Sequence, residues 1–574
     1  MPLAFNSEHR VDTWEVRKIA VVGPGIVGMP MAALLAHARI CEGSDTPARV
    51  TVIQRNSATS GWKVDAINAG RSPIGGVEPD LDRVVAESAA AGRLDASHDY
   101  EAARDADVVL ICTQTDKRGM APDYGPLTEA LEGIASQLTQ RPAGNVPLII
   151  FESTLAPSSM ATVVRDLFAR HGLIEGRDVL LGNSPNRVMP GRLVERVASS
   201  DKLVAGLHPD TPQLIARLYR RIVTRGRLHE TNSMTAEVVK TLENAYRDVR
   251  IAYAAEVVRH CDAHGVDFFA LRDRVNARLQ QSDTASADPN AVPSGGLLVP
   301  MLGVGGHCLP KDGILLWWRA LEAQAPSQRS LILESRRIND EAPAWTLARI
   351  ESLFGPVAGR RIALLGAAYR FDSEDTRNSP TLVLARLLIE RGASVAIHDP
   401  YVYETDQNLR RTELTAHFSR DLDSVLSQAQ VIVACTGHKV YRDRCEAILD
   451  AAPHATAIFD ACNLWSAQVI SARGRQYGGI GRGTAPAPDA LVDAVLAGFR
   501  AIETGVGNEV ASLVDFLNRH YAADAFNQVQ FSEVQRIAGT CVTGCDIADA
   551  GAVAAPSTSA GFASKLALLA AGSD

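Results

Sequence analysis

The chain has 574 residues, 46% hydrophobic and 22% charged, with a net charge of -8, a length for three or four ordinary domains, each able to bury a core, in a globular composition. That balance, with no basic stretch, argues against nucleic acid as a partner, since a phosphate backbone demands clustered Lys and Arg. Met1 to Arg17 lacks the apolar core of a secretory leader and no segment has the unbroken apolar length of a membrane span, so a cytoplasmic protein with no membrane partner is expected.

Arg17 to Val22 reads as a buried strand, followed by Gly23-Pro24-Gly25-Ile26-Val27-Gly28 and a helical run from Met29 to Ala38. This is a dinucleotide fingerprint in its strand-turn-helix setting. One glycine permits the tight turn, the next lets a pyrophosphate approach, the third lets helix pack on strand, and the helix start offers amide donors. Further strands are expected at Arg49 to Ile53, Val108 to Cys112, Pro147 to Glu152 and Val179 to Gly182. Strand and helix alternate, which predicts a parallel doubly wound sheet.

From Thr235 to Cys261 there is neither Pro nor Gly, and Val238, Leu242, Ala245, Tyr246, Val249, Ala252, Tyr253 and Val257 recur at helical spacing. The pattern predicts a helix about 40 Å long. Lys240 and Asn244 lie one turn apart on another face, where polar residues are usually solvated. A Pro- and Gly-rich stretch, Ser286 to Gly306, leads into Gly303-Val304-Gly305-Gly306-His307-Cys308-Leu309-Pro310-Lys311-Asp312. A thiol among glycines, with a cation and a carboxylate three and four residues on, suits a nucleophilic site. Read alone, the stretch is equally a glycine turn with a small core cysteine.

A second alternating unit begins at Arg360 to Gly366, runs through a helix to Arg391 and the strand Ser394 to His398, and adds strands at Val431 to Thr436 and Ala457 to Asp460. It lacks the Gly-x-Gly signature, so a different nucleotide is expected there. The run Gly478 to Gly483 and Ala485 to Pro488 read as a linker. Beyond it, Val510, Leu513, Val514 and Leu517 predict a helix and Phe531, Val534 and Ile537 another, before an Ala- and Ser-rich end from Ala550 that reads as mobile. The nine cysteines have no framework spacing, which suggests reduced thiols. Cys541 and Cys545 lack a second ligand pair, and no metal site is read.

These landmarks resemble the UDP-glucose/GDP-mannose dehydrogenase family over roughly 17 to 483: the Gly23 to Gly28 fingerprint, Asn68-Ala69-Gly70 with Glu78-Pro79, Glu152-Ser153-Thr154, Ser184-Pro185 with Arg187, Lys240 with Asn244, the Gly305 to Asp312 loop, and Asp375 to Pro380. The resemblance implies an α/β chain with two Rossmann-like domains joined by a long central helix; the C-terminal helical extension, expected from its own apolar spacing, lies outside it. The expected divisions are 1-215 for the cofactor domain, 216-330 for the central helical and dimerisation region with the cysteine loop, 331-484 for the UDP-sugar domain, and 485-574 for linker and extension. It further implies a homodimer or higher homo-oligomer that oxidises a UDP-sugar C6 alcohol to the acid with two NAD. Cys308 would form the thioester, Lys240 and Asn244 would stabilise the oxyanion, Asp312 would orient water or take a proton, and Thr154 would sit near the reacting centre. Cofactor contacts are expected from Gly23, Gly25, Ile26, Val27, Gly28, Gln54, Arg55, Thr113, Thr154 and Lys311. Substrate contacts are expected from Arg187, Lys240, Asn244, Gly305 and Arg377.

The loop Ser184 to Arg192 is similar to the branch acting on UDP-N-acetylhexosamines such as UDP-N-acetylmannosamine, with UDP-glucose as the alternative. Three positions depart from the family pattern. Asn186 stands where Glu is usual, so a sugar-nucleotide-binding protein with impaired catalysis is the rival reading. Gln54 followed by Arg55 replaces the acid that binds ribose hydroxyls, which makes NADP an alternative to NAD. Thr113 to Asp116 replaces a proline-containing pattern.

Overall fold

Short β-branched runs bounded by glycine turns form the strands, and the apolar-periodic segments between them form the helices. The computed structural model describes residues 14-38, 48-75, 78-142, 146-188, 190-280, 296-299, 301-324, 330-541, 544-553 and 561-572. Most of the N-terminal segment from Met1 to Arg17, Cys41, Met189 and most of the stretch from Ser286 to Pro300 lie outside them. The chain forms two compact units. One comprises Met1–Glu243, Ile314–Pro326 and Val510–Asp546; the other comprises Asn244–Gly313, Ser327–Glu509 and Ile547–Asp574.

In the first unit the strands are β1 (Lys18–Val22), β2 (Arg49–Ile53), β3 (Leu94–Ser97), β4 (Val108–Ile111), a hairpin of β5 (Asp116–Arg118) and β6 (Ala121–Asp123), β7 (Leu148–Phe151), β8 (Leu180–Asn183), β9 (Lys202–Gly206) and β10 (Leu228–Asn232). Eight of them form one sheet in the order β10-β9-β8-β7-β4-β1-β2-β3. Because side chains alternate across a strand, Ile19 and Val21 enter one core while Ala20 and Val22 enter the other. Both faces are covered, as a parallel sheet requires. The expectation of a wholly parallel sheet needs one correction: β8 and β9 run antiparallel, pairing Gly182 with Gly206 and Asn183 with Ala205.

A buried carboxyl in this unit gives a pH prediction. Oε2 of Glu175 accepts the Leu181 N–H at 2.8 Å, whereas Oε1 is buried without a hydrogen-bond partner among the described residues. Burial pushes the Glu175 carboxyl up from 4.5 to about 8. The folded state therefore holds a proton that the unfolded chain releases, and stability falls as pH rises from the ordinary carboxyl range through about 8. Across that window the loss is about 1.4 kcal/mol for each step of one in pH. Glu175→Gln should flatten that slope in urea titrations between acid and mildly alkaline pH; an unchanged slope would refute the assignment.

The second unit carries β11 (Arg361–Leu365), β12 (Ser394–His398), β13 (Phe418–Ser419), β14 (Val431–Ala434), β15 (Ala457–Asp460) and β16 (Gln476–Gly479), ordered β13-β12-β11-β14-β15-β16 and parallel throughout. Asp399, just past β12, occupies the place of a ribose-binding acid, but the fold consumes it. Its carboxylate accepts N–H groups from Ala367, Ala368, Tyr401 and Val402 and faces Nε2 of His438 at 3.0 Å.

The central helix spans Ser233–His264, 32 residues, or about 48 Å. The linker expected at 478-488 is instead part of the fold. Gly478 and Gly479 belong to β16, the Gly481 N–H donates to Asp262 at 3.0 Å, and the Thr484 and Ala485 N–H groups donate to Gly265 O. The extension's first helix is also longer than the apolar spacing suggested, running Asp489–Tyr521, and Phe531–Ala538 follows. Within the second unit, Tyr253 donates to Val495 O at 2.6 Å and Tyr246 to Glu503 at 2.9 Å, so early turns of the extension pack on the central helix. The expected mobile end is corrected for residues 561-572: Lys565–Ala570 is helical, and Glu256 accepts from the Ser564 hydroxyl and the Lys565 N–H. No helix of the described residues is long and apolar enough to cross a membrane.

Candidate active site

The glycine turn of the first unit follows the logic of its sequence. Gly23 has φ +94° and its N–H donates to Ile53 O at 2.9 Å, while a Cβ there would lie 3.1 Å from Cys112 O. A Cβ on Gly28, at the start of the helix Gly28–His37, would fall 2.1 Å from Gly23 O. At Gly25, by contrast, a Cβ meets nothing within 4 Å, which leaves open the side from which a pyrophosphate approaches between the ends of β1 and β4. Ile26 and Val27 complete the turn, with the Val27 carbonyl accepting from Met31. These residues fit a dinucleotide. Gly25→Ala should leave the melting temperature unchanged yet weaken NAD binding about tenfold or more, whereas Gly28→Ala should lower both; titration calorimetry and thermal melts separate the two.

Past β2, the Gln54 amide donates to Ser60 Oγ at 2.9 Å and to Arg55 O at 3.1 Å. Arg55 pairs with Glu129 at 2.7 Å on the surface. The loops after β4 and β7 are tied together: Ser153 Oγ donates to Thr113 O at 2.5 Å and Thr115 Oγ1 to Thr154 O at 2.7 Å. Thr113 and Thr154 thus stand at neighbouring carboxyl ends of the sheet, where ligands of open α/β folds bind.

Glu152, between those loops, is a buried hub to which the sequence pattern alone assigns no role. Its Oε2 accepts from Lys202 Nζ at 2.7 Å and from the Asn186 amide at 3.2 Å, and its Oε1 accepts from Tyr219 OH. The Asn186 Oδ1 accepts the Val188 N–H at 2.9 Å, so both ends of that amide are engaged. The neighbouring Arg187, expected at the substrate, has a side chain only 4% exposed and pairs with Glu243 at 2.5 Å.

In the second unit, Cys308 is exposed and directly precedes the helix Leu309–Glu322, with its carbonyl accepting from Lys311 and Asp312 N–H. Negative charge is favoured at such a helix start. The loop ahead of it is clamped. Gly306, at φ +84°, donates to Arg377 O at 2.8 Å, and its carbonyl accepts from the Asn378 amide at 2.8 Å. A Cβ on Gly305 would fall 2.4 Å from Tyr369 Cβ, so glycine is required by close approach. Burial first, then Asp375, pushes the Tyr369 hydroxyl up to about 12. Arg377 is gripped by Asp375, Nη2 to Oδ2 being 2.5 Å; burial opposes its charge, but that carboxylate holds it above the ordinary value.

Asp312 is fully buried, and its two oxygens accept from different donors: Lys311 Nζ at 2.5 Å and the Asn244 amide at 2.6 Å. Asn244, Asp312 and Lys311 form one chain of polar groups under the cysteine loop. Lys240 lies four residues before Asn244 on the same helix and is 8% exposed, with no hydrogen-bond or ion-pair partner among the described residues. The structure therefore gathers Cys308, Gly305, Lys311, Asp312, Asn244 and Arg377 in the second unit, and Gly23 to Gly28, Gln54, Arg55, Thr113, Thr154 and Arg187 in the first. Tyr369 had no sequence signal, because the Gly305 and Gly306 that it packs against lie more than sixty residues away in the chain.

An open glycine turn on one Rossmann sheet, and a helix-start cysteine clamped against a second sheet that has spent its own ribose acid, define a two-domain nucleotide oxidoreductase. The comparisons make the class specific. The chain matches the UDP-glucose/GDP-mannose dehydrogenase family over its NAD binding domain at 17–223, its central domain at 234–341 and its UDP binding domain at 363–467. It is 31% identical over 472 residues to a UDP-N-acetyl-D-mannosamine dehydrogenase of Pyrococcus horikoshii, covering 81% of this chain and 99% of that one. The NDP-N-acetyl-D-galactosaminuronic acid dehydrogenase of Ralstonia solanacearum is 30% identical, over 80% and 98%. A solved UDP-D-ManNAc dehydrogenase structure from Pyrococcus horikoshii superposes with TM-score 0.67 at 31% identity, over 82% and 100% of the two chains. The chain belongs to the UDP-glucose/GDP-mannose dehydrogenase family, and its cofactor is NAD.

Proposed function

We propose that the protein is a nucleotide-sugar 6-dehydrogenase that oxidises the C6 alcohol of a UDP-N-acetylhexosamine, UDP-N-acetylmannosamine first among them, to the uronate through Cys308. One observation carries the reading: an exposed thiol at a helix start, next to the chain formed by half-buried Asn244 and buried Asp312 and Lys311. The substrate class rests on the Ser184 to Arg192 loop and on relatives named for UDP-N-acetyl-D-mannosamine.

NAD, bound twice in turn, would supply a hydride acceptor for each of the two oxidations. Cys308 Sγ adds to the carbonyl carbon of the C6 aldehyde while a base relays the thiol proton to the former carbonyl oxygen, and the product is a thiohemiacetal. Oxidation of that adduct leaves a thioester, and water then attacks the acyl carbon, releasing the acid and returning the thiol. Asn244 spends one amide N–H on Asp312, which leaves the other for the oxyanion, together with the Lys240 ammonium one helical turn away. Asp312 is the proton acceptor or water-holding group. Arg377 and the Gly305 backbone meet the sugar nucleotide, Thr154 borders the reacting centre, and Lys311 holds Asp312. With Arg55 on Glu129, a 2′-phosphate would meet a carboxylate, so NAD is preferred over NADP. Assembly as a homodimer belongs to the same proposal, and sedimentation tests it.

The decisive assay presents UDP-N-acetylmannosamine, UDP-N-acetylglucosamine and UDP-glucose with NAD to the purified protein. Two NADH per sugar are expected with an N-acetylhexosamine; no cofactor reduction with any of the three would sink the proposal. Asn186, engaged at both ends of its amide and unable to act as a carboxylate base, favours a second reading in which the thioester forms but is released slowly. Intact mass spectrometry after a single turnover would then find an acyl adduct on Cys308, whereas free enzyme would favour full turnover.

A further inference from the structure

The extension lies beyond the last stretch matched to the family, which ends at residue 467, yet part of it completes the surroundings of a residue in the Ser184 to Arg192 loop. Within the first unit, Arg187 Nη1 donates to Thr540 Oγ1 at 2.9 Å and to Asp201 O at 3.4 Å, and Nη2 donates to Glu243 at 2.5 Å and to Ile537 O at 3.1 Å. Two of these four acceptors belong to the extension. Thr540 Oγ1 in turn donates to Ile537 O at 2.7 Å, so its hydroxyl has a defined direction, proton toward Ile537 and lone pair toward Arg187. Ile537 sits in the last turn of the helix Phe531–Ala538, where carbonyls lack helical partners and a cation is favoured.

The extension is itself anchored on that unit. The Asn232 amide donates to Phe526 O and Gln528 O, both at 2.9 Å, and Arg319 stands 4.9 Å from the Tyr521 ring. At the other end of the cluster, Glu243 immediately precedes Asn244 and lies three residues after Lys240. Arg187 therefore links three elements: the loop that holds Asn186, the central helix where the proposed oxyanion donors begin, and the extension. A guanidinium with a side chain 4% exposed needs fixed acceptors to stay buried, and Glu243 alone does not satisfy its fork.

We infer that Ile537 and Thr540 are positioning residues, holding Arg187 on Glu243 and so fixing the Asn186 loop against the central helix. The extension is thereby an internal brace for the reaction assigned above, and the inference rests on that assignment for its kinetic part. Arg187 acts through this brace.

The test uses the full chain and compares wild type, Thr540→Val and Thr540→Ser by hydrogen exchange and by steady-state kinetics. Valine keeps the shape and removes the acceptor; serine restores it. In T540V, exchange at 184-188 should rise by about tenfold, kcat should fall several-fold, and KM for the UDP-sugar should stay within about twofold, with T540S returning all three toward wild type. Arg187→Lys, which retains the charge facing Glu243 but loses the fork, should reproduce the exchange change and serves if T540V does not fold. Unchanged exchange in T540V and R187K would overturn the inference, as would a loss of turnover without faster exchange at 184-188, or a T540S variant no better than T540V. A wild type that turns over no UDP-sugar but shows the exchange pattern would retain the brace and remove the proposed function.

Discussion

Cys308→Ser should abolish acid formation, with turnover to the uronate expected to fall on the order of a thousandfold or more. The reason is chemical. A serine hydroxyl carries no accessible anion near neutrality and yields an ester in place of a thioester, a poorer acyl group for water to attack. The fold should be indifferent to the change, because the residue is exposed and the helix contacts of position 308 are made by its carbonyl. NADH production with UDP-N-acetylmannosamine, followed with a thermal melt of the same preparation, reads both quantities. A C308S protein that melts normally and still produces two NADH per sugar would remove Cys308 from the mechanism.

Asp312→Asn should cost both stability and catalysis. Asp312 is fully buried and its two oxygens face a Lys ammonium and an Asn amide. The isosteric amide keeps the volume but deprives the buried Lys311 of that counter-charge, a loss of about 3 kcal/mol or more when one member of a buried pair is removed alone. The new amide also presents an N–H toward one of the two donors, so Asn244 or Lys311 must turn away. Urea unfolding measures the first effect. The double variant Lys311→Met with Asp312→Asn should be less destabilised than D312N, since removing both charges together leaves no buried ammonium facing a neutral amide at 312. If D312N unfolds at the wild-type midpoint, the Lys311–Asp312 contact contributes nothing to stability. If it unfolds early but turns over normally, Asp312 is structural alone.

Much of the architecture was legible because it depends on local patterns. The strands at Arg49–Ile53, Ser394–His398 and Ala457–Asp460 have the bounds their apolar runs predicted, and the central helix overruns its Pro- and Gly-free core by a few residues at each end. Where the prediction fell short, the deciding contacts were distant. The antiparallel β8/β9 pairing is a choice of strand direction that no residue pattern records. Gly478 and Gly479 read as linker because glycine weakens a strand, yet β15 recruits them through the ladder Phe459 to Gly478 and Asp460 to Gly479. The helical end at Lys565–Ala570 depends on Glu256, three hundred residues earlier, capping its first turn.

The sequence by itself determined the chemistry on offer: a glycine turn that fits a dinucleotide, a cysteine beside a lysine and an aspartate, and a helix carrying Lys240 and Asn244 one turn apart. Each is a statement about residue type at short spacing, where backbone geometry leaves little choice. Tertiary structure alone decided which side chains are already committed. Asp312 is shared by Lys311 and Asn244, Asp399 is spent on its own loop, Glu152 gathers Lys202, Tyr219 and Asn186, and Arg187 is bound to Glu243 and to the extension. The reason is burial. A charged or polar group taken out of water must find its partners within the fold, and those partners come from wherever the chain returns, at separations that no local pattern encodes.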